Sequence, residues 1–169
     1  MNKMGSVDEC KNDLGSINNS IKSILSNNNL LTLSTFDNKN KQPCSSTAYF
    51  VYDSKFNIYI WTSSKSLHGR NMSKNAKVAI NIFDSKQEWG TLLQGLQIFG
   101  TAHIVNKVEL IKAATLYVKR FPNVSEYIKK LSDFSSSKFE DRLYKIKPYK
   151  IKVLDEKAFG KEGFREILF

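Results

Sequence analysis

Hydrophobic residues recur along this chain in two rhythms. From Ser16 onward, Ile17, Ile21, Ile24 and Leu25 fall at helical spacing, and Asn27, Asn28 and Asn29 end the run. The rhythm then shortens to period two. Leu30–Phe36 reads as a strand, Asp37–Lys41 as a hairpin loop, and Pro43 as the start of a second strand that runs through Tyr52. Asp53, Ser54 and Lys55 turn the chain into Ile58–Thr62, where every residue is β-branched or aromatic. A short polar segment, Leu67–Lys74, reads as a helix with Ser66 as N-cap, Leu67 and Met72 turned inward, and Asn75 at its end. Val78, Ile80 and Ile82 then alternate with Lys77, Ala79 and Asn81 as a further strand. Short successive strands with tight polar turns describe an antiparallel meander, which points to a barrel or sandwich rather than a parallel sheet.

The second half repeats these signals at greater length. Trp89 and Gly90 open a long strand, Thr91–Val105, with Leu92, Leu96, Ile98 and Ala102 facing the core. Gly95 and Gly100 within it mark bulges or close backbone approach. Val108–Val118 presents a broad apolar helical face that Phe121-Pro122 stops, and Val124–Leu131 reads as a second helix. Arg142–Leu154 alternates Leu143, Tyr144, Ile146, Tyr149, Ile151 and Val153 with lysines, so one face is buried and one wet. Ala158–Phe169 carries Phe159, Phe164, Ile167, Leu168 and Phe169, which the barrel or a partner subunit should cover. Residues 1–13 are polar and read as a loose tail.

Composition narrows the class. A chain of 169 residues suits one domain, and 41% apolar with 12% aromatic residues is globular rather than disordered. No apolar run is long enough for a membrane span, and the first residues lack a hydrophobic signal core, so a cytoplasmic protein is expected. Cys10 and Cys44 form no disulfide framework and no metal cluster; Cys44 reads as a small core residue and Cys10 as a free thiol. The net charge of +10 favours anionic partners, but the lysines are scattered and no nucleic-acid signature occurs. Neither a nucleic-acid nor a membrane partner is therefore expected.

Candidate chemistry concentrates where the strand Ile58–Thr62 gives way to the short helix. Thr62, Ser63, Ser64, Lys65 and Ser66 place hydroxyls around one ammonium at a helix start, with His68 and Arg70 just beyond. Hydroxyl donors, a point charge and the free N–H groups of a helix N-terminus suit a phosphate monoester. The same residues also suit a serine-rich turn that caps an ordinary helix, and on this stretch alone the plain turn is favoured. His103 lies in a strand and reads as structural; Trp61 and Trp89 read as core residues, with Trp89, at a strand start beside a glycine, the better candidate for a ligand contact.

Several pieces in order resemble the flavin-binding split β-barrel family typified by pyridoxamine 5'-phosphate oxidase. They are Leu31–Thr35, Ser45–Val51, Ile58–Thr62 with Lys65-Ser66 and Asn75–Ala79, and Leu96–Ala102 with its Gly-x-Ala ending. Phe159-Gly160-Lys161 is similar to the tail of a small uncharacterised bacterial branch. The resemblance implies an α+β fold: an antiparallel split β-barrel of Greek-key type with flanking helices, as one domain spanning residues 1–169. It implies a homodimer with FMN in clefts at the subunit interface. Carried onto this sequence, the phosphate falls to Thr62, Lys65, Ser66 and His68. The flavin ring falls along Ser45, Ser46, Thr47 and Ala48, with Trp89, Gln94 and Gln97 reaching it from the long strand. With the resemblance added, the phosphate reading of Lys65 and Ser66 outweighs the plain turn. The Arg/His substrate motif of the oxidase itself is absent from the last strand and tail. The functional expectation is an FMN-dependent oxidoreductase acting on a small molecule, with a nicotinamide as electron donor. The alternatives are a non-catalytic FMN- or haem-binding protein and a basic nucleic-acid module.

Overall fold

The structure, a computed structural model, describes residues 7–127, 133, 140–161 and 163–169. Helix α1 (Val7–Asn27) lays Ile17, Ile21, Ile24 and Leu25 into the core, as their spacing predicts, but begins before the apolar repeat does. Strand β1 (Leu30–Asp37) forms a hairpin with β2 (Gln42–Tyr52), and β3 (Ile58–Ser63) returns along β2. Helix α2 (Leu67–Lys74) follows, then β4 (Lys77–Phe83), β5 (Gln94–Ile104) and helix α3 (Lys107–Arg120). Short α4 (Val124–Tyr127), the fifteen-residue β6 (Asp141–Asp155), short α5 (Glu156–Phe159) and β7 (Phe164–Leu168) complete the described chain. The rest of the helix expected through Leu131 lies outside the described residues.

The strands hydrogen-bond in the order β3-β2-β1-β4-β5-β6-β7, and β3 also pairs with β6. That pairing closes six antiparallel strands into a barrel and leaves β7 as an added strand. The expected split barrel is thus present, an α+β fold with helices on its flanks. One edge of β6 serves two partners: Asp141–Ile146 pair with β3 and Lys150–Leu154 with β7. β2 is also longer than its neighbour, because only Phe50–Tyr52 register against β3. Toward the β3–α2 loop β2 keeps β1 along one edge, while its β3-side edge has no registered strand among the described residues.

Two apolar clusters hold this frame. One fills the barrel, with Leu33, Phe50, Ile58, Ile60, Ile80, Ile82, Ile98, Ile146 and Ile151 all inaccessible or nearly so, beneath α1. The other seats Ala113, Ala114 and Tyr117 of α3 against Val51, Tyr59 and Leu143 on the outside of the barrel. Tyr117 is set into the split. Its hydroxyl accepts from the Trp61 N–H at 3.0 Å and lies within bonding range of the Tyr49 and Tyr59 carbonyls, at 3.0 and 3.2 Å. Burial raises its pKa well above the ordinary phenol, so the hydroxyl stays protonated. Beside it, the buried Asp53 carboxylate accepts from Asn57, Tyr59 and the Lys112 ammonium, which ties α3 to the β2–β3 turn.

Some expectations fail for local reasons. Tyr149 is exposed because β6 carries an extra residue there: Phe99 faces Lys150 and Gly100 faces Pro148, so Tyr149 is skipped and the alternation changes phase. Gly100 at this bulge has no room for a side chain, since a Cβ would stand 2.7 Å from the Lys147 carbonyl oxygen. Gly95 marks no bulge and pairs in regular register. β5 starts at Gln94 rather than Thr91, so Leu92 lies in the preceding loop, half exposed. Leu67 points outward, while Gly69, Asn71 and Met72 form the buried side of α2. Cys44 is only partly covered. In the C-terminal stretch Phe159 and Ile167 pack on the core, whereas Phe164, Leu168 and Phe169 stay largely exposed.

Candidate functional site

The loop from Thr62 to α2 is a tight turn. Ser66 caps α2, as its position predicts: its Oγ accepts from the Gly69 N–H at 3.0 Å and donates to the Ser63 carbonyl at 2.7 Å. The turn is so close that a Cβ on Gly69 would stand 2.4 Å from the Ser63 oxygen. His68 folds back so that Nε2 lies 2.6 Å from the Thr62 hydroxyl, and burial lowers the ring's pKa, which favours neutral imidazole. The N–H groups of Leu67 and His68 belong to the first helical turn, which has no intrahelical partner for them. Thr62, Lys65, Ser66 and His68 therefore do come together. Ser66 contributes mainly as the cap, because its hydroxyl is already bonded on both sides.

An anion is already present in this turn. The Glu140 carboxylate pairs with the Lys65 ammonium, and the Glu140 carbonyl accepts from the Ser64 N–H at 3.1 Å and the Ser64 hydroxyl at 3.0 Å. Lys65 is nonetheless 73% exposed. The Arg70 guanidinium turns back onto the Lys65 carbonyl.

The four β2 candidates divide by strand parity. Ser45 and Thr47 stand opposite Ser34 and Thr32 on the outer face, while Ser46 and Ala48 stand opposite Leu33 and Leu31 on the inner one. Ser46 bonds the Leu33 carbonyl at 3.4 Å, and Ala48 packs on the core. What the four share is an edge: among the described residues no strand registers beyond Phe50 on the side facing the β3–α2 loop.

The remaining candidates lie elsewhere. Thr47, Thr32, Asn81 and Gln97 form one cross-strand row. Three strand spacings separate Thr47 from Gln97, about 14 Å. Gln94 is fixed by Asp155, whose Oδ1 accepts from its amide at 2.8 Å, and by Gln87, which bonds both its backbone groups. Trp89 stands wholly exposed in the β4–β5 loop. Gln94 and Gln97 line a cleft of about 440 Å³ with Asn81, Phe83, Lys152 and Phe164. Sequence reasoning missed Lys152, Phe164 and Glu140 as site residues. The lysine alternation of β6 was the only available signal, and it does not reveal which strands lie alongside.

The outer face of the sheet is strongly apolar for an uncovered surface. Leu30, Tyr49, Phe83, Phe164 and Leu168 are each 45% exposed or more. It also carries Lys77, Lys147, Lys150 and Lys152, with Glu166 on the edge strand.

A family model described as pyridoxamine 5'-phosphate oxidase matches residues 17–155. No curated protein matches the sequence. Among solved structures, a haem-binding protein from Mycobacterium smegmatis superposes with a TM-score of 0.72 at 15% identity, over 89% of this chain and 57% of its own. HutZ, the haem storage protein from Vibrio cholerae, superposes with a TM-score of 0.62 at 22% identity, over 77% of this chain and 88% of its own. A protein of unknown function from Agrobacterium tumefaciens gives 0.63 at 19% identity, over 77% of this chain. The chain spans 52% of that protein's length. At these identities the likeness is one of fold.

Proposed function

The chain belongs to the pyridoxamine 5'-phosphate oxidase family, and from that premise we propose that it is an FMN-binding oxidoreductase that works as a cytoplasmic homodimer. The observation that carries the reading is the β3–α2 turn. An ammonium, a capped helix start with open N–H groups and a hydroxyl–imidazole pair meet beside the free edge of β2. These residues fit a phosphate monoester at Lys65, Ser66 and His68, with Glu140 giving up its place as the partner of Lys65. The open backbone edge at Ser45–Ala48 then faces the planar part of the ligand. Bound FMN would supply the electron transfer to a small molecule, with a nicotinamide as donor. The protein's own share is to hold the phosphate, present backbone donors and acceptors, and exclude water by apolar cover.

Dimerisation is part of the same proposal. Within one chain Ser45–Ala48 and Gln94/Gln97 are held apart by β1 and β4, so they can flank one ring only if the second group comes from a second copy. The bare apolar sheet face favours such a pairing. One observation favours a second reading, a haem-binding or storage protein. The same face combines apolar surface with four lysines, which suits a large flat dianion between two copies.

The experiment is the visible spectrum of the purified protein after reconstitution, followed anaerobically with NADH. The proposal expects flavin absorbance that bleaches. Retained flavin that stays oxidised with every donor supports a binding protein. A Soret band with no flavin affinity supports the haem reading and contradicts this one.

A further inference from the structure

We infer that Tyr117 is a positioning residue for the proposed cofactor: its hydroxyl spans the split between β2 and β3 and fixes the distance from the ring edge Ser45–Ala48 to the phosphate turn Thr62–Ser66. This rests on the flavin reading and adds to it a residue that belongs to neither half-site. The strand register shows what the hydroxyl replaces. Phe50, Val51 and Tyr52 pair with Ile60, Tyr59 and Ile58. Continued by one pair, that register would set Tyr49 against Trp61, and by one more, Ala48 against Thr62. The ladder stops at Phe50–Ile60 instead, and the Tyr117 oxygen stands between Tyr49 and Trp61. It accepts from the Trp61 N–H at 3.0 Å and lies 3.0 Å from the Tyr49 carbonyl. The Tyr59 carbonyl, at 3.2 Å, is the more distant of its two acceptors. A phenol has one proton to give. Given to Tyr49, it makes the hydroxyl a relay from the N–H of one strand to the carbonyl of the other. A relay through one oxygen holds the strands wider apart than a direct N–H···O bond of about 2.9 Å would.

The spacer is rigid because α3 is clamped on both sides of it. Before Tyr117, the Lys112 ammonium pairs with the Asp53 carboxylate at the β2–β3 turn. After it, the Arg120 guanidinium donates to the Leu25 carbonyl of α1 at 2.7 Å. The Phe121 ring packs on the rings of both Tyr117 and Tyr49, with centroids 5.9 and 5.5 Å away. A buried tyrosine needs only one partner for its hydroxyl. This one joins two strands at the point where they part, one residue from Ala48 on one bank and one residue from Thr62 on the other. A ligand that grips both banks senses the width of the split. A ligand that grips one bank does not.

FMN and riboflavin are titrated by flavin fluorescence against the parent, Tyr117→Phe, Lys65→Ala and the double variant. Tyr117→Phe keeps the ring, so its circular dichroism should match the parent. FMN should bind it about tenfold more weakly, whereas riboflavin, which has no phosphate to deliver, should change by about twofold or less. Once Lys65→Ala has removed the phosphate grip, adding Tyr117→Phe should cost FMN nothing further, because both changes act on the same contact. Parental FMN affinity in Tyr117→Phe overturns the positioning role and leaves the flavin reading standing. Riboflavin losing as much as FMN, or losses that add to those of Lys65→Ala, mark a merely structural role and also overturn it. A parent that binds neither flavin overturns the flavin reading, and the positioning role with it. Amide hydrogen exchange on the flavin-free parent tests the relay without any variant. The Trp61 amide should be protected like that of Ile60, and exchange as fast as in an exposed loop overturns the spacer.

Discussion

Two stretches of the barrel's outer surface, the one under α3 and the bare β2–β1–β4–β5–β6 face, are finished to different degrees. The flank under α3 is complete within one chain: Tyr117 closes the split, Asp53 takes four kinds of donor, and Ala113 and Ala114 are fully covered. The outer face keeps Tyr49, Phe83, Phe164 and Leu168 in water and, among the described residues, leaves Lys152 without a counter-charge. The first side spends its polar groups on holding the fold. The second leaves them available, and the proposed dimer contact falls there.

The comparison breaks most visibly at Asp53. Asp53→Ala should cost about 3–5 kcal/mol, because the Lys112 ammonium and the Asn57 and Tyr59 donors lose their buried acceptor; chemical denaturation measures it. Burial by itself would raise the Asp53 pKa, but hydrogen bonds from Lys112, Asn57 and Lys55 outweigh it and hold the carboxyl below its ordinary value of 3.8. Its contribution is therefore complete above about pH 3.8 and is lost as the pH falls through the folded-state value. Acid titration of Asp53→Asn should show a correspondingly shallower loss of stability. Asp53 variants as stable as the parent would show that the α3 flank is not the self-sufficient side.

Phe83→Asp probes the other face. A carboxylate in the middle of a paired apolar surface should weaken association by roughly 2–4 kcal/mol while leaving the monomer folded. Sedimentation velocity reads this as dissociation with an unchanged far-ultraviolet spectrum. A parent that is monomeric at micromolar concentration would remove the outer face as an interface. The smallest effect is at the rim of the phosphate turn. Glu140→Gln should leave stability nearly unchanged, since exposed ion pairs contribute about 0–1 kcal/mol. It should tighten FMN by about threefold or less through loss of the competing carboxylate, as fluorescence quenching would report.

Much of the frame was legible because it is local. The bounds of α2 and its Ser66 cap, the inward Val78, Ile80 and Ile82, and the β1–β2 hairpin all follow from neighbours a few residues apart. Tyr149 and Leu92 were misplaced because one bulge and one late strand start change the phase of an alternation that is otherwise regular. The site was legible only in halves. Thr62, Lys65, Ser66 and His68 sit in one turn, but Glu140 reaches Lys65 across 75 positions of sequence. The row Asn81–Gln97–Lys152 exists only once three strands find their register. Cross-strand partners of this kind are set by tertiary pairing, and no local periodicity encodes them.

The phosphate assignment is tested most directly by comparing two ligands that differ only there. FMN and riboflavin are titrated against the parent and against Lys65→Ala. The account predicts that the parent prefers FMN by about tenfold or more and that most of this preference disappears in Lys65→Ala. Equal affinity of the parent for both flavins, or a preference that survives intact without the ammonium, would contradict it.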